Sequence, residues 1–162
     1  MGKVRVGFGY DVHRLEKGRE FWLGGILVPH ETGAMGHSDA DVLIHVICDA
    51  LLGAANMRNI GFHFSDKDPK YKGIDSKLLL KEVMTMIRKA GYEVGNIDST
   101  ICLQEPKLNP HIPAMKQTLA EVMQVAEEDI SIKATTSESM GFVGRKEGIA
   151  AYAVVLIEKD NL

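Results

Sequence analysis

The chain has 162 residues, enough for one domain with a sizeable core, and we expect residues 1–162 to form a single domain. Hydrophobic residues make up 45% of the chain and charged residues 25%, the balance of an ordinary globular protein. The formal net charge of −3 excludes the broad basic field with which proteins hold nucleic acid, and no apolar run reaches the roughly 18 residues of a membrane-spanning helix.

The N-terminal segment, residues 3–12, alternates between apolar and other side chains. This pattern predicts a strand and lacks the long apolar core of a signal peptide. Side chains two residues apart on a strand point the same way, so Asp11 and His13 share one face with two glycines. The opposite face carries an apolar row: Val4, Val6, Phe8 and Tyr10.

The next segments predict a second strand and a helix. Residues 21–28 are typical of a strand, interrupted by Gly24-Gly25, and residues 29–36 are expected to form a loop. We expect the helix to begin at Ser38, because a serine before acidic residues is typical of a helix N-terminus. On that helix Asp41, His45 and Asp49 follow one another at a spacing of four and lie on one side.

The remaining elements alternate between helices and strands. Residues 56–73 and 137–148 are expected to be loops, the second one rich in glycine. The predicted helices cover residues 75–90 and 110–125, and the predicted strands cover residues 94–104, 130–136 and 149–157. We therefore expect an α/β fold with a four-stranded mixed sheet and helices on one face.

The last predicted strand, residues 149–157, is apolar on both faces. The three predicted helices can cover only one face of the sheet. A homo-oligomer that packs sheet against sheet would bury the other face, whereas a monomer would leave it thinly covered. We favour the oligomer.

Both cysteines, Cys48 and Cys102, lie within apolar stretches. This position favours free buried thiols over a disulfide and therefore a reducing compartment. We expect the protein to be cytoplasmic.

Two histidines and one carboxylate are candidates for a metal site. Zinc enzymes favour three protein ligands and one open position, and Asp11, His13 and His45 form such a set. The pattern alone does not show that the three side chains meet. Asp11 and His13 could equally be surface residues of a turn, and His45 could be a histidine in the core or at its edge.

Several polar segments are candidates for binding phosphate groups. His37 and Ser38 precede the predicted helix, where backbone amides attract anions, although Ser38 is equally suited to capping. The run from Thr135 to Glu138 leads into the glycine-rich loop with Arg145; it suits phosphate and, through Glu138, a hard cation, or is simply a polar loop. The turn at residues 106–110 is either a rigid connection or a backbone contact for a base. No Walker or dinucleotide-binding pattern is present.

Taken together, these segments resemble the 2-C-methyl-D-erythritol 2,4-cyclodiphosphate synthase family over residues 4–157. The order and spacing of the short motifs carry the resemblance. They are GYDVH (9–13), LGG (23–25), GHSDADV (36–42), DALLGAA (49–55), GNID (95–98), PK (106–107), PHI (110–112), KATT (133–136), GF (141–142), GR (144–145) and EGIA (147–150).

The resemblance implies a homotrimer with inward-facing sheets and active sites between neighbouring subunits. It implies Zn²⁺ on Asp11, His13 and His45, and a second cation, Mg²⁺ or Mn²⁺, on Glu138. It assigns His37, Ser38 and Thr136 to catalytic contacts with the phosphates and the erythritol part of the substrate. The further substrate-binding residues that it implies are Asn59, Gly61, Asp66, Gln104, Glu105, Pro106, Lys107, Leu108, Ala134, Thr135, Phe142 and Arg145.

The activity implied by the resemblance is that of a phosphorus–oxygen lyase of the non-mevalonate isoprenoid pathway. It would convert 4-diphosphocytidyl-2-C-methyl-D-erythritol 2-phosphate to the 2,4-cyclodiphosphate with release of CMP. The family trimer also implies an axial channel near Arg145 and Glu147 that takes an isoprenyl diphosphate. Asn59 stands where the family usually has Asp, which weakens the expected ribose contact because an amide lacks the charge.

Two other classes of function remain open at this stage. A metal-dependent phosphohydrolase would use the same zinc set with water in the open position and would release plain phosphate. A non-catalytic trimer that binds nucleotide or isoprenoid would explain Asn59 as decay of a site. The intact set of Asp11, His13, His45 and Glu138 argues against decay.

Overall fold

The structure is a computed structural model that describes residues 3–159. Four strands come first and three helices follow them, and from there to the end strands and helices alternate. The strands are β1 (Lys3–Lys17), β2 (Phe21–Leu23), β3 (Ile26–Val28), β4 (Thr32–Met35), β5 (Glu93–Cys102), β6 (Ile130–Thr135) and β7 (Gly148–Lys159). The α-helices are α1 (Val42–Ala54), α2 (Ile60–His63), α3 (Ser76–Lys89), α4 (Ile112–Met123) and α5 (Gly141–Gly144). Short 3₁₀ turns cover Pro69–Tyr71, Asn109–His111 and Glu127–Asp129.

The main sheet is mixed and has the strand order β4-β1-β7-β5-β6. Only the β5–β6 pair is parallel, and the other neighbours are antiparallel. The predicted mixed sheet is confirmed, but the predicted count of four strands is wrong. Strand β1 continues to Lys17, and its last residues pair with β4, which lies in the segment predicted to be a loop.

The segment predicted as one strand at residues 21–28 is a two-stranded hairpin. Strands β2 and β3 pair with each other around Gly24 and Gly25. Both glycines have positive φ, +61° and +79°, a conformation that side chains with a Cβ adopt only with strain. The glycine pair therefore turns the chain instead of merely interrupting a strand.

Helix α1 begins at Val42, so the expected start at Ser38 is wrong. The cap is Asp41, whose carboxylate accepts hydrogen bonds from the N–H groups of Ile44, Gly24 and Gly25. Asp41 is completely buried, and these three donors satisfy a carboxylate that burial would otherwise destabilise. The cap thus ties the start of α1 to the β2–β3 hairpin.

The three long helices, α1, α3 and α4, lie on one face of the sheet, as predicted. Helix α1 packs on β1 and β7, α3 packs on α1, and α4 packs on α3 and β6. Strand β7 turns Ala151, Ala153, Val155 and Ile157 into this core, where all four are buried.

The opposite face of the sheet is largely exposed in the single chain. Val6 and Phe8 of β1 are 64% and 62% exposed. The other large apolar side chains of this exposed face are Val4, Tyr10, Val12, Tyr152 and Val154. So much apolar surface is unusual for a monomer and typical of a surface that binds another protein.

The described residues contain no helix of the length and apolarity needed to cross a membrane.

Candidate metal centre and substrate-binding site

Asp11, His13 and His45 meet at the carboxyl half of β1, where it passes under α1. Their three closest atoms form a nearly equilateral triangle. Asp11 Oδ2 lies 3.1 Å from His13 Nε2 and 3.2 Å from His45 Nδ1, and the two histidine nitrogens are 3.1 Å apart. Asp11 and His45 are separated by 34 residues in the chain, so the tertiary fold creates this cluster.

The size of the triangle fits a divalent metal ion. Zinc bonds to histidine nitrogen and carboxylate oxygen are about 2.0–2.1 Å long, and tetrahedral angles then place two ligand atoms about 3.3 Å apart. The observed separations of 3.1–3.2 Å are close to that value. Three ligands leave one tetrahedral position, which is the pattern of a catalytic centre rather than a structural one.

The charge of the cluster suits a cation. Burial opposes ionisation of Asp11, but the imidazoles of His13 and His45 beside it outweigh that effect and hold the pKa of the carboxyl well below its usual value. Asp11 is therefore a carboxylate at neutral pH. The side chains of Asp11, His13 and His45 are 31%, 16% and 12% exposed, so the site is partly shielded and still open to a ligand.

Two glycines of β1 allow α1 to come close enough to place His45. A Cβ added to Gly9 would lie 2.1 Å from the carbonyl oxygen of Val46, and one added to Gly7 would lie 1.9 Å from that of Ala50. The helix backbone thus occupies the space that any side chain at these positions would need. The same face of β1 continues to Asp11 and His13, so the close approach brings His45 to them.

The second nitrogen of His45 faces two hydroxyl groups. Nε2 lies 3.1 Å from Ser38 Oγ and 3.0 Å from Ser76 Oγ. Ser76 is fully buried at the first turn of α3, and its hydroxyl also bonds the carboxylate of Asp39. The sequence gives no signal that Ser76 belongs to the site, because a serine after Asp75 is typical of a helix start.

A cavity of about 450 Å³ opens beside the metal cluster. Its wall includes His37, Ser38, Gly61 and Asp66, four of the residues assigned to substrate contacts. Apolar and aromatic residues that sequence reasoning missed complete the wall: Ile60, Phe64, Tyr71, Ile74 and Leu79. They come from the segment predicted to be a loop, from Ile74 directly after it and from α3, where nothing in the local pattern marks them as part of a site.

Asn59 caps α2 at the edge of this cavity. It is exposed, and its side chain makes no capping hydrogen bond. The adjacent backbone is held by Asp49, whose Oδ1 accepts a hydrogen bond of 2.7 Å from the Ile60 N–H. Asp49 lies on the same side of α1 as His45, as predicted, so one helix face carries both the candidate metal ligand and the anchor of the α2 segment.

A second cavity, of about 250 Å³, lies between the ends of β5 and β6 and the turn that follows β5. Six residues assigned to substrate binding line it: Gln104, Pro106, Lys107, Leu108, Ala134 and Thr135. Thr136, which was assigned to phosphate contacts, also lies in this wall. Glu105 is not part of this wall, and its carboxylate pairs with Lys146 Nζ at 2.9 Å.

The remaining assigned residues lie after β6. Glu138 is exposed in a tight turn with φ of 54°, and its N–H donates to Thr136 Oγ1 at 3.2 Å. Phe142 lines a small cavity that also contains His13, whereas Arg145 pairs with Glu147 at 2.8 Å on the surface. No assigned residue lines both the cavity beside the metal cluster and the cavity between β5 and β6, so a single chain keeps these two places apart.

Known proteins of the family that the motifs resemble match almost the whole chain. The profile of the YgbB family matches residues 4–158. The 2-C-methyl-D-erythritol 2,4-cyclodiphosphate synthase of Parabacteroides distasonis is 68% identical over 157 residues, which are 97% of this chain and 98% of that protein. The chain belongs to the YgbB family. The family membership predicted from the motifs is therefore confirmed.

Solved structures of the family share the fold. A 2C-methyl-D-erythritol-2,4-cyclodiphosphate synthase in a CDP-bound form superposes with a TM-score of 0.87 at 37% identity, covering 94% of this chain and 99% of that chain. The bifunctional IspDF of Campylobacter jejuni has a TM-score of 0.95 at 38% identity, and the match covers 99% of this chain but only 44% of that longer one. The single-chain architecture is thus that of the family.

Proposed function

We propose that this protein converts 4-diphosphocytidyl-2-C-methyl-D-erythritol 2-phosphate to 2-C-methyl-D-erythritol 2,4-cyclodiphosphate and CMP. Membership of the YgbB family supports the reaction, because a relative at 68% identity carries the name of this synthase. The observation that carries it is the triangle of Asp11, His13 and His45 beside a cavity lined by His37 and Ser38.

The reaction is an intramolecular phosphoryl transfer. An oxygen of the substrate's 2-phosphate forms a bond to the β-phosphorus, and the bond from that phosphorus to the oxygen bridging it to the α-phosphorus breaks. CMP leaves with the bonding electron pair, so the enzyme would be a phosphorus–oxygen lyase. The substrate supplies its own nucleophile, and the protein contributes position and charge neutralisation.

We assign Zn²⁺ to Asp11, His13 and His45, and Mg²⁺ or Mn²⁺ to Glu138. Such cations neutralise charge that builds on phosphoryl oxygens and draw the two phosphate groups of an anionic chain together. His37 and Ser38 line the cavity beside the zinc ligands, and we assign to them the contacts with the phosphates and the erythritol part of the substrate. Thr136, next to Glu138, would hold the diphosphate.

We propose that residues 104–108 with Ala134 and Thr135 bind the cytosine, and all of these except Glu105 line the second cavity. Asn59 and Gly61 would contact the ribose. Asp66, Phe142 and Arg145 are the further substrate contacts proposed. A cytidine nucleotide is a fitting occupant, because a solved relative at 37% identity is described in a CDP-bound form.

We further propose a homotrimer whose inward sheet faces carry the apolar row of β1. Two observations support it: the exposed apolar side chains of that face, and the separation of the two cavities within one chain, which neighbouring subunits would bring together. An isoprenyl diphosphate in an axial channel near Arg145 and Glu147 is part of the same proposal. Free Cys48 and Cys102, both among the described residues, support a cytoplasmic location.

Product analysis by phosphorus NMR tests the function directly. With substrate, Zn²⁺ and Mg²⁺, a cyclic diphosphate should appear together with CMP, and the His45→Ala variant should form neither. His30→Ala, a partly buried histidine outside both cavities, is the matched control and should retain activity. Release of inorganic phosphate would instead identify a phosphohydrolase, and substrate binding without turnover would identify a binding protein.

A further inference from the structure

His45 is held by a chain of hydrogen bonds that runs away from the metal side of its ring. Nε2 contacts Ser76 Oγ at 3.0 Å, and Ser76 Oγ in turn contacts Asp39 Oδ1. Asp39 Oδ2 also accepts the Ser76 N–H at 2.9 Å. This series of hydrogen bonds therefore links the start of α3 to the segment that precedes α1, and His45 lies at one end of it.

The protons in this chain have only one consistent arrangement. A carboxylate can only accept, so the single hydroxyl proton of Ser76 is donated to Asp39. The oxygen of Ser76 is then left as an acceptor toward His45, which must carry its proton on Nε2. That tautomer leaves the lone pair of Nδ1 free and directed toward Asp11 Oδ2 and His13 Nε2.

We propose that Ser76 and Asp39 are positioning residues for the metal centre. They act as a serine-relayed version of the carboxylate–histidine–metal arrangement, in which an outer carboxylate sets the tautomer and basicity of a ligand. The inference rests on the proposed zinc site at Asp11, His13 and His45. Neither Ser76 nor Asp39 lines the cavity beside that site, so both act through His45 rather than on the substrate.

Ser38 does not replace this relay. Its hydroxyl lies 3.1 Å from His45 Nε2, but its oxygen already accepts the Ala40 N–H at 3.2 Å, and no carboxylate within residues 3–159 accepts a hydrogen bond from it. Its proton is therefore free to turn toward a phosphate in the cavity. Ser76 is fully buried and locked by Asp39, which makes it the hydroxyl whose orientation is determined by the fold.

The experiment compares Ser76→Ala with Ser99→Ala. Ser99 is likewise buried and donates one hydrogen bond, of 2.8 Å, to the carbonyl of Ser131, but it lies on β5 away from the metal ligands. Both variants lose one buried hydroxyl. Zn²⁺ affinity is measured by competition with a chromophoric chelator, and the visible spectrum of the Co²⁺-substituted protein reports ligand geometry.

We expect Ser76→Ala to lose about 10–100-fold in Zn²⁺ affinity and to shift or weaken the Co²⁺ absorption bands, whereas Ser99→Ala retains both wild-type values. Asp39→Asn is the second variant, should Ser76→Ala not fold. It keeps the shape of the side chain but can offer an N–H to Ser76, and we expect a loss of affinity in the same range.

Wild-type Zn²⁺ affinity and Co²⁺ spectrum in Ser76→Ala would overturn the proposal and leave Ser76 as a helix-start residue only. Equal losses in Ser76→Ala and Ser99→Ala would also overturn it, because a general loss of stability would then explain both. The proposal for Ser76 and Asp39 and the proposed reaction can be refuted independently of each other. A protein that binds Zn²⁺ but releases no CMP would refute the reaction, while a selective loss in Ser76→Ala would still support the relay.

Discussion

Replacing Gly9 with alanine should open the metal centre by forcing α1 away from β1. The added Cβ would lie 2.1 Å from the carbonyl oxygen of Val46, 2.9 Å from its carbonyl carbon and 3.1 Å from the Ala50 nitrogen. All three are backbone atoms of a helix, which cannot rotate aside as a side chain can. The strand and the helix must therefore separate.

The size of the effect follows from these distances. Ordinary van der Waals contact begins near 3.4 Å, so relief of the 2.1 Å contact requires a shift of about 1.3 Å. Overpacking of this kind costs about 1–3 kcal/mol, and we expect the upper end because the clash is with backbone. Val46 follows His45, so the shift also removes Nδ1 from its place 3.2 Å from Asp11 Oδ2. Displacements of about 1 Å reduce site function by about 100-fold.

Urea denaturation and chelator competition for Zn²⁺ measure the two consequences. Gly53→Ala is the matched control, because Gly53 lies in the same helix and a Cβ there meets nothing within 4 Å. We expect that control to gain about 0.5–1 kcal/mol of stability, as alanine replaces glycine within a helix, and to bind Zn²⁺ normally. A Gly9→Ala protein with wild-type denaturation midpoint and wild-type Zn²⁺ affinity would refute the argument.

Phe8→Asp places a charge in the exposed apolar row and should convert the proposed trimer to monomers, as measured by light scattering after gel filtration. A monomeric wild-type protein in the same measurement would count against the proposed assembly. Asn59→Asp should tighten CMP binding several-fold in calorimetry by restoring a charged acceptor for the ribose hydroxyls, and an unchanged affinity would remove this position from the ribose site. Chelation of Zn²⁺ supplied at about 100 times its dissociation constant should remove about 2.7 kcal/mol of stability and lower the Tm by about 5–10 °C. The His13→Ala variant should show no such chelator effect, and an equal drop in that variant would locate the stabilising ion elsewhere.

Local sequence patterns were sufficient to predict which side chains share a face when they lie on the same strand or helix. Strand alternation placed Asp11 and His13 on one face of β1 and the apolar row on the other, because side chains on a strand repeat every two residues. Helical spacing placed Asp49 on the same side as His45. The structure has both arrangements.

Features that depend on remote partners were missed or misplaced. Strand β4 has four residues and is paired only because β1 continues to Lys17, far beyond its apolar alternation. The start of α1 was placed too early because Asp41 is selected as the cap by two amides of the β2–β3 hairpin. Ser76 has no local signal at all, since its role comes from His45 and Asp39, which lie 31 and 37 residues away.

The sequence by itself determined the periodic elements, the apolar face of the sheet and, through the motifs, the family. Those properties depend on residues a few positions apart or on the order of short segments. Only the tertiary structure decided that Asp11, His13 and His45 meet within 3.2 Å, that glycines in β1 let α1 approach, and that Ser76 supports the ligand. Distances between elements depend on packing, and packing is a property of the folded chain as a whole.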